Sequence, residues 1–282
     1  MDIDVQQKLM SRPGATTKRR SSRLRFGVRT RLSARADQLI GVAGIVTVVI
    51  LWCILSYGGF VRQSFLPTPT GIWRGLLEFH QKGFLFPAIG RSFLRVMASM
   101  LLVFIIGVPI GVLMGAYTPV DAFLRKLVNG AKAVPTTGLT GLIVLWFAIE
   151  EKAKIVFLFL GAIFYMIILV KNAVANVSED YERVALDLGA SRWQVIRRVL
   201  LPGAWPHIWD ALAVCNGIMW TYIVLAEFIN SNAANLGVGY LLYIGSHANS
   251  SGQVFGILIV IAIICSATDF ALVFVRRKWF NW

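Results

Sequence analysis

The sequence predicts an all-α integral membrane protein with about six transmembrane helices. Two compositional observations and one pattern predict this fold class. Of the 282 residues, 57% are hydrophobic and 15% are charged, whereas a soluble domain carries about 45–50% apolar and about 25% charged residues. The pattern is a series of apolar runs, each close to the roughly 20 residues that a helix needs to cross a bilayer. These values exclude most classes of soluble protein.

The apolar runs define the predicted spans in chain order. Gly107 and Pro109 lie inside the second run and predict a kink there. Pro135 and Gly138 lie in the first half of the third run, where neighbouring protein must satisfy the freed backbone groups. The spans are predicted at 39–57, 93–114, 132–149, 155–170, from 208 or 211 to 228, and 255–275.

The distribution of positive charge predicts the orientation of the chain. If the N-terminus is inside, the internal segments hold 21 of the 28 Lys and Arg residues, and the external segments hold 6. Positive residues are enriched on the cytoplasmic side of a membrane protein. Both termini are therefore predicted to be cytoplasmic.

The first 38 residues are predicted to be a disordered, basic cytoplasmic tail, and residues 39–282 form the transmembrane domain. Eight Lys and Arg residues lie between positions 18 and 35, and no acidic residue lies between Asp4 and Asp37. Such a tail contacts anionic membrane lipids. An Arg- and Ser-rich transit peptide is a second interpretation. A nucleic-acid-binding arm is a third, but Phe26 alone gives it little aromatic content, so no nucleic acid is expected as a partner.

The polar segment 178–202 carries the main functional signal. Ser178 is placed to begin a helix, Gly189 to end it, and a second helix is predicted over 191–200 before Pro202 stops or kinks it. A hairpin of this kind fits a groove on a soluble partner, although an interfacial amphipathic hairpin without a partner gives the same pattern. The candidate contact residues are Tyr181, Glu182, Val184, Ala185, Leu188, Gly189, Ala190 and Ser191.

This segment resembles the Glu-Ala-Ala coupling loop of ABC importer permeases. The resemblance rests on Gly189 followed, after nine residues, by Val199-Leu200-Leu201-Pro202. At the triplet itself the chain has Arg183-Val184-Ala185, so only the last Ala is retained, and the nearest acid is Glu182.

Further segments are similar to the nitrate, sulfonate, taurine and bicarbonate branch of these permeases, and the resemblance covers about three quarters of the chain. The similar segments are Leu66-Pro67-Thr68-Pro69, residues 107–115, Leu145-Trp146-Phe147-Ala148-Ile149, Ala226-Glu227 and residues 236–241.

The resemblance implies a type I ABC importer permease fold (MetI-like) in the bacterial inner membrane. It implies a pore subunit that carries a small solute, with an anion of the nitrate, bicarbonate, sulfonate or taurine class expected. The implied partners are a second permease copy in a homodimer, two ATPase subunits and an extracytoplasmic solute-binding protein. A phosphate-binding loop needs a Gly-Lys pair, and the chain has none. ATP and magnesium are therefore expected on the ATPase, with no cofactor and no enzymatic activity in this chain.

Polar residues in the fifth predicted span are candidates for the solute pathway. Asn216, Trp220, Thr221 and Tyr222 could present neutral donors to an anion, or pack between helices. Glu227 is a candidate gate or a helix-packing partner. The three His residues are scattered, and no metal site is expected. A self-sufficient secondary transporter or channel is the alternative function, but it predicts coupling-ion residues near the midplane.

Overall fold

The computed structural model describes residues 33–229 and 236–279, and these divide into two units between Trp52 and Cys53. The helix α1 (Ala34–Tyr57) begins in the first unit. Its apolar side chains are exposed, as at Leu39 and Val48, and a helix that is apolar all round suits a lipid environment. The predicted first span is confirmed, whereas most of the predicted tail lies outside the described residues.

The second unit is built from helices joined by short turns. The helices are α2 (Pro69–Gln81), α3 (Leu85–Ala116), α4 (Thr118–Ala133), α5 (Thr140–Phe147), α6 (Glu151–Ala175), α7 (Glu179–Asp187), α8 (Arg192–Val195), α9 (Leu201–Ile229), α10 (Val238–His247) and α11 (Ser251–Trp279). A 3₁₀ turn, Thr136–Leu139, precedes α5, and a π-helical turn, Ile196–Leu200, joins α8 to α9.

Within the described residues, five helices are long and apolar enough to cross a membrane. The third predicted span, 132–149, differs: it contains α5 and its 3₁₀ turn, a shorter apolar segment over Thr136–Phe147. Proline explains the break, because Pro135 has no N–H and holds Val134 in an extended conformation with ψ 123°.

The chain nevertheless makes a sixth pass, because α3 and α6 run in the same direction. Gly107 of α3 lies against Met166 of α6, and Gly115 lies against Val174. The intervening residues must therefore return from one end of the pair to the other. Together, α4, the 3₁₀ turn and α5 make that return.

The glycines of α3 allow this helix pair to pack closely. A Cβ atom on Gly111 would lie 2.6 Å from the Cβ of Val170 and 2.9 Å from the carbonyl oxygen of Ile167. Glycines spaced by four residues let two backbones approach in this way. The helix does not break at the position of the predicted kink, because α3 continues through Pro109 to Ala116.

The helix α9 runs antiparallel to α6 and fills the centre of the second unit. Gly203 contacts Val177 at one end, whereas Tyr222 packs edge-to-face on Phe157 towards the other. On its other side α9 meets α11, where the Trp209 Nε1–H donates to the Leu272 carbonyl at 2.7 Å.

Candidate functional site

The first arm of the hairpin at 178–191 is fixed at both ends by local hydrogen bonds. The Ser178 Oγ accepts from the Asp180 N–H and starts α7, as predicted. At the other end, the Gly189 N–H donates to the Leu186 carbonyl and the Ala190 N–H to the Ala185 carbonyl. This is a Schellman motif, and Gly189 supplies its left-handed residue with φ 82°.

The second arm begins with a capping box that the sequence interpretation missed. The Ser191 Oγ accepts from the Gln194 N–H, and the Gln194 Oε1 accepts from the Ser191 N–H at 2.7 Å. The spacing Ser-x-x-Gln was the signal in the sequence. With the caps on both arms, the geometry of the turn is set by residues within it.

The second arm does not end at Pro202, so of the two outcomes predicted there, a stop or a kink, the stop is wrong. The helix is continuous from Arg192 to Phe228. At the π-turn the Leu201 N–H donates to the Ile196 carbonyl, five residues back. This wider turn lies directly before Pro202, whose ring would clash with a carbonyl in a regular α-helical turn. The hairpin is thus joined to α9 as one helical rod.

One face of the hairpin is apolar and exposed. The exposed fraction is 66% for Tyr181, 57% for Val184 and 82% for Leu188. Within the described part of the chain nothing covers them, and contiguous exposed apolar groups are typical of an interaction surface. We call these three residues the hairpin face.

The remaining predicted contact residues line hollows on either side of the turn. Ala185, Gly189 and Ala190 border a hollow of about 380 Å³ between the two arms. Glu182 borders a second cavity, of about 300 Å³, against the start of α4. Ser191 caps the second arm. The structure therefore brings all eight predicted residues into one hairpin.

The predicted pathway residues of α9 are mostly turned into the protein. Asn216 is buried, and its Oδ1 accepts from the Thr268 hydroxyl at 3.1 Å. Trp220 is buried in the core, and Tyr222 is half-buried. Thr221 is exposed, with its hydroxyl donating to the backbone of its own helix. In this arrangement Thr221 is the member of the set that presents a polar side chain outward.

Glu227 lies in a charged cluster rather than on an open surface. Its carboxylate is fully buried, 2.6 Å from the Arg95 Nη1. It also accepts from the Ser92 hydroxyl at 2.7 Å and from the Gly239 N–H at 2.9 Å. These contacts make Glu227 a packing partner for α3 and α10.

The rest of the charged cluster was missed by the sequence interpretation. The Arg95 guanidinium binds Glu151 in a bidentate manner, with Nε–Oε2 at 2.6 Å and Nη2–Oε1 at 2.5 Å. Lys154 is buried 3.8 Å from the same carboxylate. Arg95 lies in an apolar run, where an ionised side chain is costly unless paired, so its position was the available signal. We define the charged cluster as Ser92, Arg95, Glu151, Lys154 and Glu227.

A second ion-pair group ties α4 to the opposite end of α6. The Lys171 Nζ lies 2.8 Å from the Asp121 Oδ1, and Arg125 donates to the other carboxylate oxygen. Hydrogen bonds from Arg125 and Lys171 hold the pKa of Asp121 below its ordinary value. Asp121 is buried, so the pair links the start of the return segment to the long helix.

The described residues contain no group of three or more His, Cys, Asp or Glu side chains that could hold a metal ion.

Solved structures share the fold of this chain. The methionine ABC transporter MetNI, in inward-facing conformations, contains a chain with a TM-score of 0.62 at 20% identity, over 70% of this chain and 97% of that one. A bacterial ABC transporter that imports the acidic polysaccharide alginate gives a TM-score of 0.57 at 16% identity, over 87% and 97%. The fold is therefore that of type I ABC importer permeases.

Sequence comparison identifies the family. The taurine transport system permease protein TauC of Escherichia coli is 29% identical over 287 residues, covering 100% of this chain and 98% of its own. The protein SsuC of Bacillus subtilis, named for aliphatic sulfonates transport, is 30% identical over 83% and 84%. The bicarbonate transport system permease protein CmpB of Synechococcus elongatus is 26% identical over 85% and 88%. A family model described as binding-protein-dependent transport system inner membrane component matches residues 107–281, and the chain belongs to that family.

Proposed function

We propose that this chain is the pore-forming permease subunit of an ATP-driven importer, and that its hairpin docks on a separate ATPase subunit. The proposal rests on the exposure of the hairpin face. Tyr181, Val184 and Leu188 are exposed on a polar segment, where apolar groups in water are unfavourable unless a partner covers them. An ATPase groove that buries the three side chains would remove that cost.

The continuity of the second arm with α9 supports a mechanical role. Because the chain is helical without a break from Arg192 to Phe228, a displacement of the hairpin would be passed through Pro202 into the rest of the helix. That helix packs on α6 along its length and ends at the charged cluster. ATPase closure would therefore shift the whole rod and change the side to which the pore opens.

The substrate proposed is a small anion or zwitterion with an oxyanion group. The relatives are named for taurine, aliphatic sulfonates and bicarbonate. An extracytoplasmic binding protein would deliver the solute. ATP and magnesium would bind to the ATPase, because the chain has no Gly-Lys pair for a phosphate-binding loop.

The assembly proposed contains two copies of this chain and two ATPase subunits in the bacterial inner membrane. The distribution of Lys and Arg supports cytoplasmic termini. This orientation puts the hairpin and the Asp121 pair on the cytoplasmic side and the charged cluster on the external side.

Co-purification of the chain with its co-expressed ATPase tests the proposal. Leu188→Asp places a charge on the hairpin face, and because Leu188 is 82% exposed the fold should be unaffected. We expect this variant to insert normally and to lose the ATPase, whereas Leu188→Met retains it. Equal ATPase recovery from both variants would contradict docking at this face.

A further inference from the structure

An apolar groove opens beside the junction of the hairpin and α9. It has a volume of about 450 Å³ and lies between the second half of α3 and the segment 193–205. Val108, Pro109 and Leu113 form the wall on α3, and Ile196, Leu201 and Trp205 face them. A group the size of a water molecule occupies about 30 Å³, so the groove has room for a hydrocarbon segment of about fifteen groups of that size.

Positive charge lies at one end of this apolar groove. Arg197 is exposed and borders it, and Arg192 and Arg198 are exposed on the same segment. In the part of the chain that the structure describes, these three guanidinium groups form no ion pair. No acidic residue occurs between Asp187 and Asp210, so the segment is uniformly cationic.

The aromatic residues indicate where the groove lies relative to the membrane surface. Trp193 and Trp205 both line it, and Trp193 is 62% exposed. Tryptophan is enriched where the hydrocarbon core meets the headgroups. The groove therefore starts at headgroup level beside Arg197 and extends into the hydrocarbon along α3.

We propose that the groove binds one anionic phospholipid, with the phosphate on Arg197 and an acyl chain along Val108, Pro109 and Leu201. This proposal rests on the orientation given above, which places the site in the cytoplasmic leaflet, where anionic lipids attract basic segments. A soluble ligand does not fit, because the wall is almost wholly apolar. The lipid contacts both α3 and the π-turn, so its presence stabilises one position of the hairpin relative to α3.

The binding test uses the purified full-length chain in nanodiscs of phosphatidylcholine with a minor fraction of phosphatidylglycerol. Native mass spectrometry counts the lipids that remain bound. We expect one retained phosphatidylglycerol per chain, and a roughly fivefold loss of retention in Arg197→Gln, since one basic residue contributes about that factor. Arg198→Gln is the matched control, because Arg198 borders the hollow between the hairpin arms and not the groove.

A second variant tests the apolar wall. Leu113 is 40% exposed, so Leu113→Trp should fill the groove without disturbing the core and should also release the lipid. The proposal would be overturned if the chain retained phosphatidylcholine and phosphatidylglycerol equally and neither Arg197→Gln nor Leu113→Trp changed that retention. So would a disulfide between two copies of Leu113→Cys, which would show that a second chain occupies the groove. These measurements need neither ATPase nor transport, so they fail independently of the proposed import function.

Discussion

A single carboxylate, Glu227, holds three segments of the chain together. It joins α9 to Ser92 and Arg95 of α3 and to the backbone of Gly239 at the start of α10. A charge inside a membrane protein is tolerated when it is paired and hydrogen-bonded in this way. At the scale of the residue, the charged cluster stabilises one end of the helix bundle.

Removing that charge should destabilise the protein. We expect Glu227→Gln to reduce the free energy of unfolding by about 3 kcal/mol, the cost of leaving part of a buried ion pair without its partner. Thermal unfolding in detergent measures the change. Glu179→Gln is the matched control: its pair with Arg183 is exposed, and such pairs contribute less than about 0.5 kcal/mol. Equal melting temperatures for the two variants would contradict the role of the cluster.

Asp121 should make stability depend on pH in the acid range. Its pKa in the folded protein is lowered by Arg125 and Lys171. The ion pairs therefore stabilise the fold fully above the unfolded value of about 3.9, and the contribution is lost as the pH falls below it. The melting temperatures of the wild type and Asp121→Asn should differ by a constant amount from pH 7 to 5 and converge below pH 4. A difference that grows in acid would contradict this assignment.

These ion pairs could not be predicted from one sequence. Ser92 and Glu227 are 135 residues apart, and Arg95 and Glu151 are 56 apart. Periodicity indicates which face of a helix is apolar, but not which charged residue on another helix meets it. The sequence therefore marked Glu227 as unusual and left its partner open.

Among the secondary-structure elements, the hairpin could be predicted because the residues that start and end its first helix act through local hydrogen bonds. Ser178 and Gly189 determine the start and end of α7 through bonds that span at most five residues. The continuation through Pro202 was not predictable, because it depends on a π-turn that proline statistics do not report. The length of the third span was also predicted wrongly: Pro135 was visible in the apolar run, but the sequence alone did not show that the helix would break there.

Gly189 should be essential to the hairpin for its backbone conformation rather than for space. A Cβ atom there would meet nothing within 4 Å, but φ is +82°. Gly189→Val should strain the turn by about 1–2 kcal/mol and reduce solute uptake per ATP hydrolysed in proteoliposomes. Gly189→Asn should retain coupling, because Asn adopts this conformation readily. Full coupling in Gly189→Val would show that the turn is not required.

The close packing of α3 on α6 should depend on the absence of a side chain at Gly111. Gly111→Ala places a methyl group 2.6 Å from the Val170 Cβ and should destabilise the protein by about 1–3 kcal/mol. Gly90→Ala, on the same helix with nothing within 4 Å, should be neutral or slightly stabilising. Thermal unfolding of both variants checks this, and a neutral Gly111→Ala would mean that the two helices separate easily.

In the molecule as a whole, one long helix connects the two ends of the helix bundle. The rod from Arg192 to Phe228 begins in the hairpin and reaches the charged cluster at its far end. At about 1.5 Å per residue, it is longer than the hydrocarbon core of about 30 Å. If the hairpin docks on an ATPase as proposed, its movement would be transmitted across the membrane to the helices that meet at Glu227.

The most direct test is a structure of the chain assembled with its ATPase, in which the exposure of the hairpin face is measured. We predict that Tyr181, Val184 and Leu188, which are exposed in the isolated chain, become buried in a groove of the ATPase. We also predict that the helix from Arg192 to Phe228 stays continuous. A hairpin face that contacts only lipid or solvent in that assembly would contradict docking of the hairpin on the ATPase.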